Sequence, residues 1–160
     1  MGFEIRQAGM DDTALLLRFI RELAIYEKAE QEVLATEAEL RASLFAQDSP
    51  ARAIICERQG IPVGFAVYFF NYSTWLARKG LYLEDLFVLP EHRNKGAGFA
   101  MFQHLARIAV ASNCGRFEWN VLDWNTPAVG FYEALGARPL NEWVGYRLSG
   151  ARLAALAERS

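Results

Sequence analysis

The sequence predicts one α/β (α+β) domain, spanning residues 1–160, with a mixed β-sheet flanked by helices. Its 160 residues are typical of a chain that folds around a single core. Strand-like and helix-like apolar patterns follow one another in the order β-α-α-β-β-β-α-β-α-β. Apolar residues make up 52% and aromatic residues 13% of the chain, which is enough to bury a core and excludes intrinsic disorder.

The first half of the chain predicts two helices between its first and second strands. "FEIRQA" alternates as a strand, and Asp11 and Asp12 precede the helical pattern "TALLLRFIRELAIYEK". Thr36 and Glu39 have the spacing of a capping box, so "TEAELRASLFA" predicts the second helix. Residues 53–57 and 63–70 then read as a β-hairpin that turns near Gly60.

The second half begins with an apolar strand at residues 81–88, which carries the adjacent carboxylates Glu84 and Asp85. A glycine loop leads into the helical pattern "FAMFQHLARIAVASN", and "FEWNVL" predicts the next strand. Pro127 and Gly136 suit the first turn and the C-cap of the short helix "AVGFYEAL". A last strand is predicted at residues 144–148.

Charge, cysteine content and hydropathy exclude several classes of function. A net charge of -2 without a basic cluster predicts no nucleic-acid partner. Cys56 and Cys114 are in no Cys/His cluster, so no metal site is expected. Neither a signal peptide nor an apolar run of about 18 residues is found, which predicts a soluble, cytoplasmic protein without membrane contact.

The loop "RNKGAG" between the strand at 81–88 and the following helix is typical of an anion site. Gly96 and Gly98 allow close approach to the backbone, and Arg93 and Lys95 add cationic donors, so a pyrophosphate would fit. Phe99 follows where a P-loop has Lys and Ser or Thr, which argues against a nucleotide-phosphate enzyme. A purely structural turn is the alternative.

The pattern R-x-x-G-x-G at this loop resembles the acyl-CoA pyrophosphate loop of the GNAT superfamily of N-acetyltransferases. "RELAIYEK", "YSTW", "LYLEDLFVLPEHR" and "VLDWNTPAVGFYEALGA" resemble its diamine acetyltransferase subgroup, which modifies spermidine, spermine and thialysine. The resemblance implies a mostly antiparallel sheet, acetyl-CoA as cosubstrate, a small-molecule primary amine as acceptor, and a homodimer. "YSTW" and "VLDWN" are closer to the thialysine-type members.

Acetyl transfer to an amine needs a group that removes a proton from the ammonium. Glu84 is the candidate, because strand alternation predicts that Glu84 and Asp85 lie on opposite faces and because burial would raise the proton affinity of a carboxylate there. Pairing of both acids with Arg or Lys is the alternative. No Ser/His/Asp or Cys/His set emerges, and His92 and His104 are expected to be surface or packing residues, so direct attack in a ternary complex is expected.

The resemblance also implies individual cofactor-site residues. Tyr132 would protonate the departing thiolate, and a backbone N–H near Leu86, Phe87 or Val88 would meet the oxyanion where the strand opens. The remaining implied cofactor contacts are Arg93, Asn94, Lys95, Gly96, Ala97, Gly98, Phe99 and Asn125.

An amine site needs carboxylates and aromatic faces. The implied amine contacts are Tyr26, Glu27, Trp75, Glu84, Glu118, Trp119 and Asn120, whereas Glu30 and Glu32 are expected to be solvated. Ser73 stands where polyamine enzymes have an acid, and only Glu142 remains of a late acidic pair, which favours a shorter amine. A peptide amine as acceptor and a non-catalytic acyl-CoA sensor are the rival functions.

Overall fold

The computed structural model describes residues 2–160, and the chain divides into two compact units. The first unit ends at Leu122 and contains a five-stranded sheet and three α-helices. The second unit, Asp123–Ser160, contains two α-helices.

The sheet of the first unit is mixed and mostly antiparallel, as predicted. Its strands lie in chain order, with the first four antiparallel and the last parallel to its neighbour. The strands are β1 (Glu4–Gln7), β2 (Ala51–Arg58), β3 (Ile61–Ser73), β4 (Arg78–Val88) and β5 (Phe117–Trp119). The predicted hairpin joins β2 to β3, and Gln59 and Gly60 both have positive φ, as a tight hairpin turn requires.

The helices cover both faces of this sheet. They are α1 (Thr13–Tyr26), α2 (Glu37–Leu44) and α3 (Ala97–Ala111). The predicted capping box is present, since the Thr36 hydroxyl accepts from the Glu39 N–H and the Glu39 carboxylate accepts from the Thr36 N–H. Phe19 of α1 stacks on Phe65, and on the other face Met101 of α3 packs so close to Gly64 that a Cβ there would lie 3.2 Å from its Cε.

Asp12 lies at the N-cap of α1, but its carboxylate makes no cap bond to that helix. It accepts two hydrogen bonds from the guanidinium of Arg6, at 2.8 and 2.9 Å, and Arg6 also reaches Glu57 at 3.2 Å. These bonds lower the pKa of Asp12. A bidentate charged partner is stronger than a cap, so Asp12 joins the start of α1 to β1 and β2.

The second unit contains α4 (Thr126–Ala134) and α5 (Gly150–Glu158). Pro127 lies in the first turn of α4, and Gly136 follows its end with φ of +91°, as predicted. The predicted strand at 144–148 is wrong, because these residues have no strand partner and Tyr146 is 96% exposed. An apolar pattern without a neighbouring edge cannot satisfy the backbone of a strand.

Candidate active site

β4 has an open edge along its second half. β5 pairs with Leu81, Tyr82 and Leu83 only, and ends at Trp119, so the rest of β4 has β3 on one side and no strand on the other. The N–H of Leu89 donates to Val63 of β3. Because N–H groups alternate along a strand, those of Leu86 and Val88 are directed to the open side.

A β-bulge lies where this opening begins. The adjacent β3 residues Val67 and Tyr68 pair with Asp85 and Leu83 of β4. Glu84 lies between these two β4 residues and has no partner in β3, so it is the extra residue of the bulge. A bulge of this kind shifts the alternation of side chains by one residue.

Because of that shift, Glu84 and Asp85 lie on the same face of the sheet. Phe65, Val67 and Phe69 of β3 share one face, and their β4 partners are Phe87, Asp85 and Tyr82. Glu84 is two residues from Tyr82 and therefore lies on this face too, which is the face that α1 covers. The prediction that the two acids lie on opposite faces is wrong, because it assumed an uninterrupted strand.

Burial and neighbouring acids raise the pKa of Asp85. Burial, followed by the charges of Glu84 and Glu27, raises the pKa of Asp85 to about 6. Burial also raises the pKa of Glu27, which follows the end of α1. Burial and the charges of Glu84 and Glu118 raise the pKa of Tyr82. The structure thus brings together the predicted residues Glu27, Glu84 and Glu118 around Asp85 and Tyr82.

Burial was predicted to raise the proton affinity of Glu84, but Asp85 is the more buried of the two acids. Glu84 is exposed, whereas Asp85 is partly buried. Among residues 2–160, no arginine or lysine forms an ion pair with either acid, so the alternative of paired structural carboxylates is wrong. The sequence alone did not identify Asp85 as the more buried acid, because only the pairing of β4 with β3 shows which of the two is buried.

Arg93 connects the end of α1 to the end of β4. Its Nε donates to the carbonyl oxygen of Val88 at 2.8 Å. The guanidinium carbon lies 5.1 Å from the ring centre of Tyr26 and 5.2 Å from that of Phe87. This side chain, predicted to serve a pyrophosphate, therefore contacts β4 and the predicted amine-site tyrosine.

The glycine loop presents backbone donors at the start of α3. Gly96 is the N-cap of the helix with φ of +98°, and the N–H of Ala100 closes the first turn on the Gly96 carbonyl at 2.9 Å. The N–H groups of Ala97, Gly98 and Phe99 precede that bond and have no acceptor within the helix. Their concentration at one helix end fits an anionic group such as a pyrophosphate.

Two other loop residues that were predicted for the cofactor site have defined positions. Asn94 has φ of +61°, a left-handed conformation that asparagine tolerates better than most residues. Lys95 is exposed, and its Nζ lies 3.3 Å from the carbonyl oxygen of Glu91.

Within one chain, the side chains of Trp75 and Trp119, two of the predicted amine contacts, lie away from the acidic cluster around Asp85. Trp75 is 81% exposed in the turn between β3 and β4, about 20 Å along β4 from Glu84 at roughly 3.3 Å per residue. Trp119 lies on the face opposite Glu118, where its ring centre is 4.9 Å from that of Phe102 in α3. Asn120 follows the end of β5.

Asn125 and Tyr132 belong to the second unit. Asn125 is the N-cap of α4, where its carbonyl accepts from the N–H of Val129 at 3.1 Å. Tyr132 lies in the same helix, with its ring centre 5.8 Å from that of Phe131. Their predicted contacts with the cofactor stay predictions.

The open strand followed by an anion-binding helix start is an arrangement suited to an acyl-CoA thioester. The sequence profile of the Acetyltransferase (GNAT) family matches residues 18–137. The chain belongs to this family and is an acetyltransferase.

Similar proteins point the same way. The chain is 39% identical to a thialysine N-epsilon-acetyltransferase of Sus scrofa over 96% of each chain, and 30% identical to one of Caenorhabditis elegans over 98% of each. It superposes on the Vibrio cholerae integron cassette protein VCH_CASS6 with a TM-score of 0.82, 30% identity and 99% coverage of both chains.

Over residues 2–160, no group of three or more His, Cys, Asp or Glu side chains is arranged to hold a metal ion. In the same part of the chain, no helix has the length and apolar character needed to cross a membrane.

Proposed function

We propose that this acetyltransferase transfers the acetyl group of acetyl-CoA to a primary amine of a small molecule, such as thialysine or a short diamine. The observation that carries the proposal is the cluster of carboxylates on the α1 face, beside the open edge of β4. The full-length similarity to thialysine N-epsilon-acetyltransferases supports the same class of substrate.

The residues present fit acetyl-CoA. The N–H groups at the start of α3 would hold its pyrophosphate, and the N–H groups of Leu86 and Val88 would bind along the open edge. One of these two N–H groups would stabilise the oxyanion. When bound, acetyl-CoA supplies the activated thioester.

The acidic face suits an amine with few positive charges. Glu27, Glu84 and Glu118 supply negative charge, and Tyr82 supplies an aromatic ring beside them. A long polyamine would need further acids along its length, but Ser73 is used internally, since its hydroxyl accepts from the N–H of Leu76 at 3.2 Å. A short amine is therefore the proposed acceptor.

The reaction would proceed by direct attack in a ternary complex. Cys56 is not suited to form an acyl-enzyme, because burial and the charge of Glu57 raise its pKa to about 11, which keeps its thiol protonated at neutral pH. Tyr132 would donate a proton to the departing thiolate, with Asn125 and Asn120 as further contacts of the site. Trp119 would contribute only through its backbone, because its ring packs on Phe102.

The remaining expectations follow from the resemblance to diamine acetyltransferases. The protein would be a cytoplasmic homodimer in which residues 1–160 act as one catalytic domain. Trp75, which lies far along β4 from Glu84 in its own chain, would then meet an amine bound to the second subunit.

The deciding experiment follows release of the CoA thiol from acetyl-CoA in the presence of thialysine, lysine, ornithine, putrescine, spermidine or a lysine peptide. Turnover should be fastest with the short free amines. Turnover on peptides alone would make a protein amine the substrate, and binding of acetyl-CoA without thiol release with any amine would make the protein a sensor.

A further inference from the structure

We propose that Asp85, and not Glu84, accepts the proton from the substrate ammonium, while Glu84 and Glu27 hold the ammonium in place. This inference rests on the proposed function and assigns the proton transfer within the same site. It concerns which of two adjacent carboxylates does the chemistry.

The bulge in β4 creates the geometry. An uninterrupted strand would place only one of the two acids on the α1 face. The bulge places Asp85 on that face together with Glu84. Leu86 follows directly, and its N–H is directed to the open edge proposed for the thioester. Asp85 and one of the two candidate oxyanion donors are thus consecutive residues of one strand.

The groups that face Asp85 come from β3, from β4 itself and from the end of α1. β3 offers only the apolar Val67 opposite Asp85. The charged or titratable neighbours on this face are Tyr82 and Glu84 of β4, Tyr26 and Glu27 at the end of α1, and Arg93 across the ring of Phe87. Among the described residues, Arg93 forms no ion pair with Asp85. The neighbouring charges that shift the pKa of Asp85 are the negative charges of Glu84 and Glu27.

Asp85 is better suited than Glu84 to take the proton. Burial and two neighbouring negative charges raise the pKa of Asp85 to about 6. The difference from the pKa of an alkylammonium, ~10.4, is therefore smaller than for an ordinary aspartate, which makes the proton transfer less unfavourable. Glu84 is exposed, so it can bind the ammonium from the solvent side. The extra residue of the bulge therefore separates the two roles.

The proposed step balances without any further reactant. The ammonium R–NH₃⁺ gives one proton to the carboxylate of Asp85 and becomes R–NH₂. The nitrogen attacks the thioester carbonyl carbon, the N–C bond forms, the C–S bond breaks, and the thiolate takes one proton from the general acid. The nitrogen gives its second proton to the deprotonated general acid, and Asp85 releases its proton to solvent. The net reaction therefore releases one proton, with Asp85 and the general acid returned to their starting states.

The test is the pH profile of kcat/KM for the amine in the full-length wild type, Asp85→Asn and Glu84→Gln. The wild type should lose kcat/KM as pH falls below about 6, because protonated Asp85 neither attracts nor deprotonates an ammonium. Asp85→Asn should lower kcat by about 100-fold or more at pH 7 and abolish that acidic limb. Its KM for acetyl-CoA should be unchanged.

Glu84→Gln is the matched neighbour. It should raise the KM for the amine and keep the acidic limb, because Asp85 remains. Loss of the limb in Glu84→Gln, with its retention in Asp85→Asn, would overturn the inference. Failure of the wild type to acetylate any amine would instead overturn the proposed function.

An amine substrate whose conjugate acid has a low pKa distinguishes loss of the catalytic base from misfolding of Asp85→Asn. Hydroxylamine-type acceptors are largely unprotonated at pH 7 and need no base before attack. The deficit of Asp85→Asn should shrink at least tenfold with such an acceptor, relative to an alkylamine. An equal deficit with both acceptors would show that Asp85 only supports the structure.

Discussion

The guanidinium of Arg93 lies over the ring of Tyr26, 5.1 Å from its centre, and joins the helix that ends at the acidic face to the loop that starts α3. The same side chain donates to the Val88 carbonyl on the open side of β4. The proposed amine site and the proposed cofactor site therefore share one side chain, although they come from distant parts of the sequence.

Replacing Arg93 with lysine should disturb both sites at once. Lysine cannot lie flat across Tyr26 and Phe87 while donating to Val88, so we expect a loss of about 1–2 kcal/mol in the free energy of unfolding. The KM values for acetyl-CoA and for the amine should rise together. Chemical denaturation and steady-state kinetics measure these effects.

Lys95→Gln is the control for removal of a loop cation. Lys95 is exposed, so the free energy of unfolding should change by no more than about 0.5 kcal/mol. A stability loss in Lys95→Gln equal to that of Arg93→Lys would contradict the specific role of the stacked guanidinium.

Gly96→Ala should damage the loop, whereas Gly98→Ala should not unfold it. Gly96 has φ of +98°, where an L side chain costs about 1 kcal/mol or more, while Gly98 lies in α3 with open space around a new Cβ. Gly96→Ala should lower the melting temperature and raise the KM for acetyl-CoA. Gly98→Ala should melt at or above the wild-type temperature, and equal destabilisation of both variants would refute the argument.

Asp85→Asn should make the protein more stable at neutral pH. Because the folded-state pKa of Asp85 is raised to about 6, the folded protein holds this proton between about pH 4 and 6 while the unfolded chain has lost it. Stability therefore falls as pH rises through that range, and removing the charge should recover about 1–3 kcal/mol at pH 7 and little at pH 4. Denaturation at both pH values measures the difference.

Asp12→Asn should show the opposite sign and serves as the matched control. Arg6 lowers the folded-state pKa of Asp12, so its stabilisation is present above pH 4 and is lost as pH falls through the folded-state value. A stabilising effect of Asp12→Asn at pH 7, or a destabilising effect of Asp85→Asn, would contradict these assignments.

Tyr132→Phe tests the proposed general acid. The substitution keeps the ring and removes only the hydroxyl, so kcat should fall by about 100-fold while the KM for acetyl-CoA changes little. An unchanged kcat would remove Tyr132 from this role. Phe131→Leu, in the same helix, is the control for altered packing and should affect stability more than kcat.

Much of the fold was predictable because it depends on local patterns. The capping box at Thr36 and Glu39, the hairpin at Gly60 and the ends of α4 each follow from a few adjacent residues, and the structure confirms them. The strand at 144–148 was not predictable in the same way, because a strand exists only where a second edge pairs with it.

The candidate site shows the same division. The loop "RNKGAG" and the acids of "LYLEDLFV" were evident, since glycine conformations and a carboxylate within an apolar run are local properties. The contact of Arg93 with Tyr26 was not evident, because 67 positions of the chain separate them and only packing of α1 on β4 brings them together.

The sequence by itself determined that a strand with two adjacent acids leads into a glycine-containing helix start whose backbone is suited to an anion. Only the tertiary structure decided which acid is buried. Pairing of Val67 with Asp85 and of Tyr68 with Leu83 leaves Glu84 unpaired, and this register follows from the packing of β3 against β4 over their full length. A single extra residue moves Asp85 to the face of Glu27, which no two-residue alternation in the sequence could indicate.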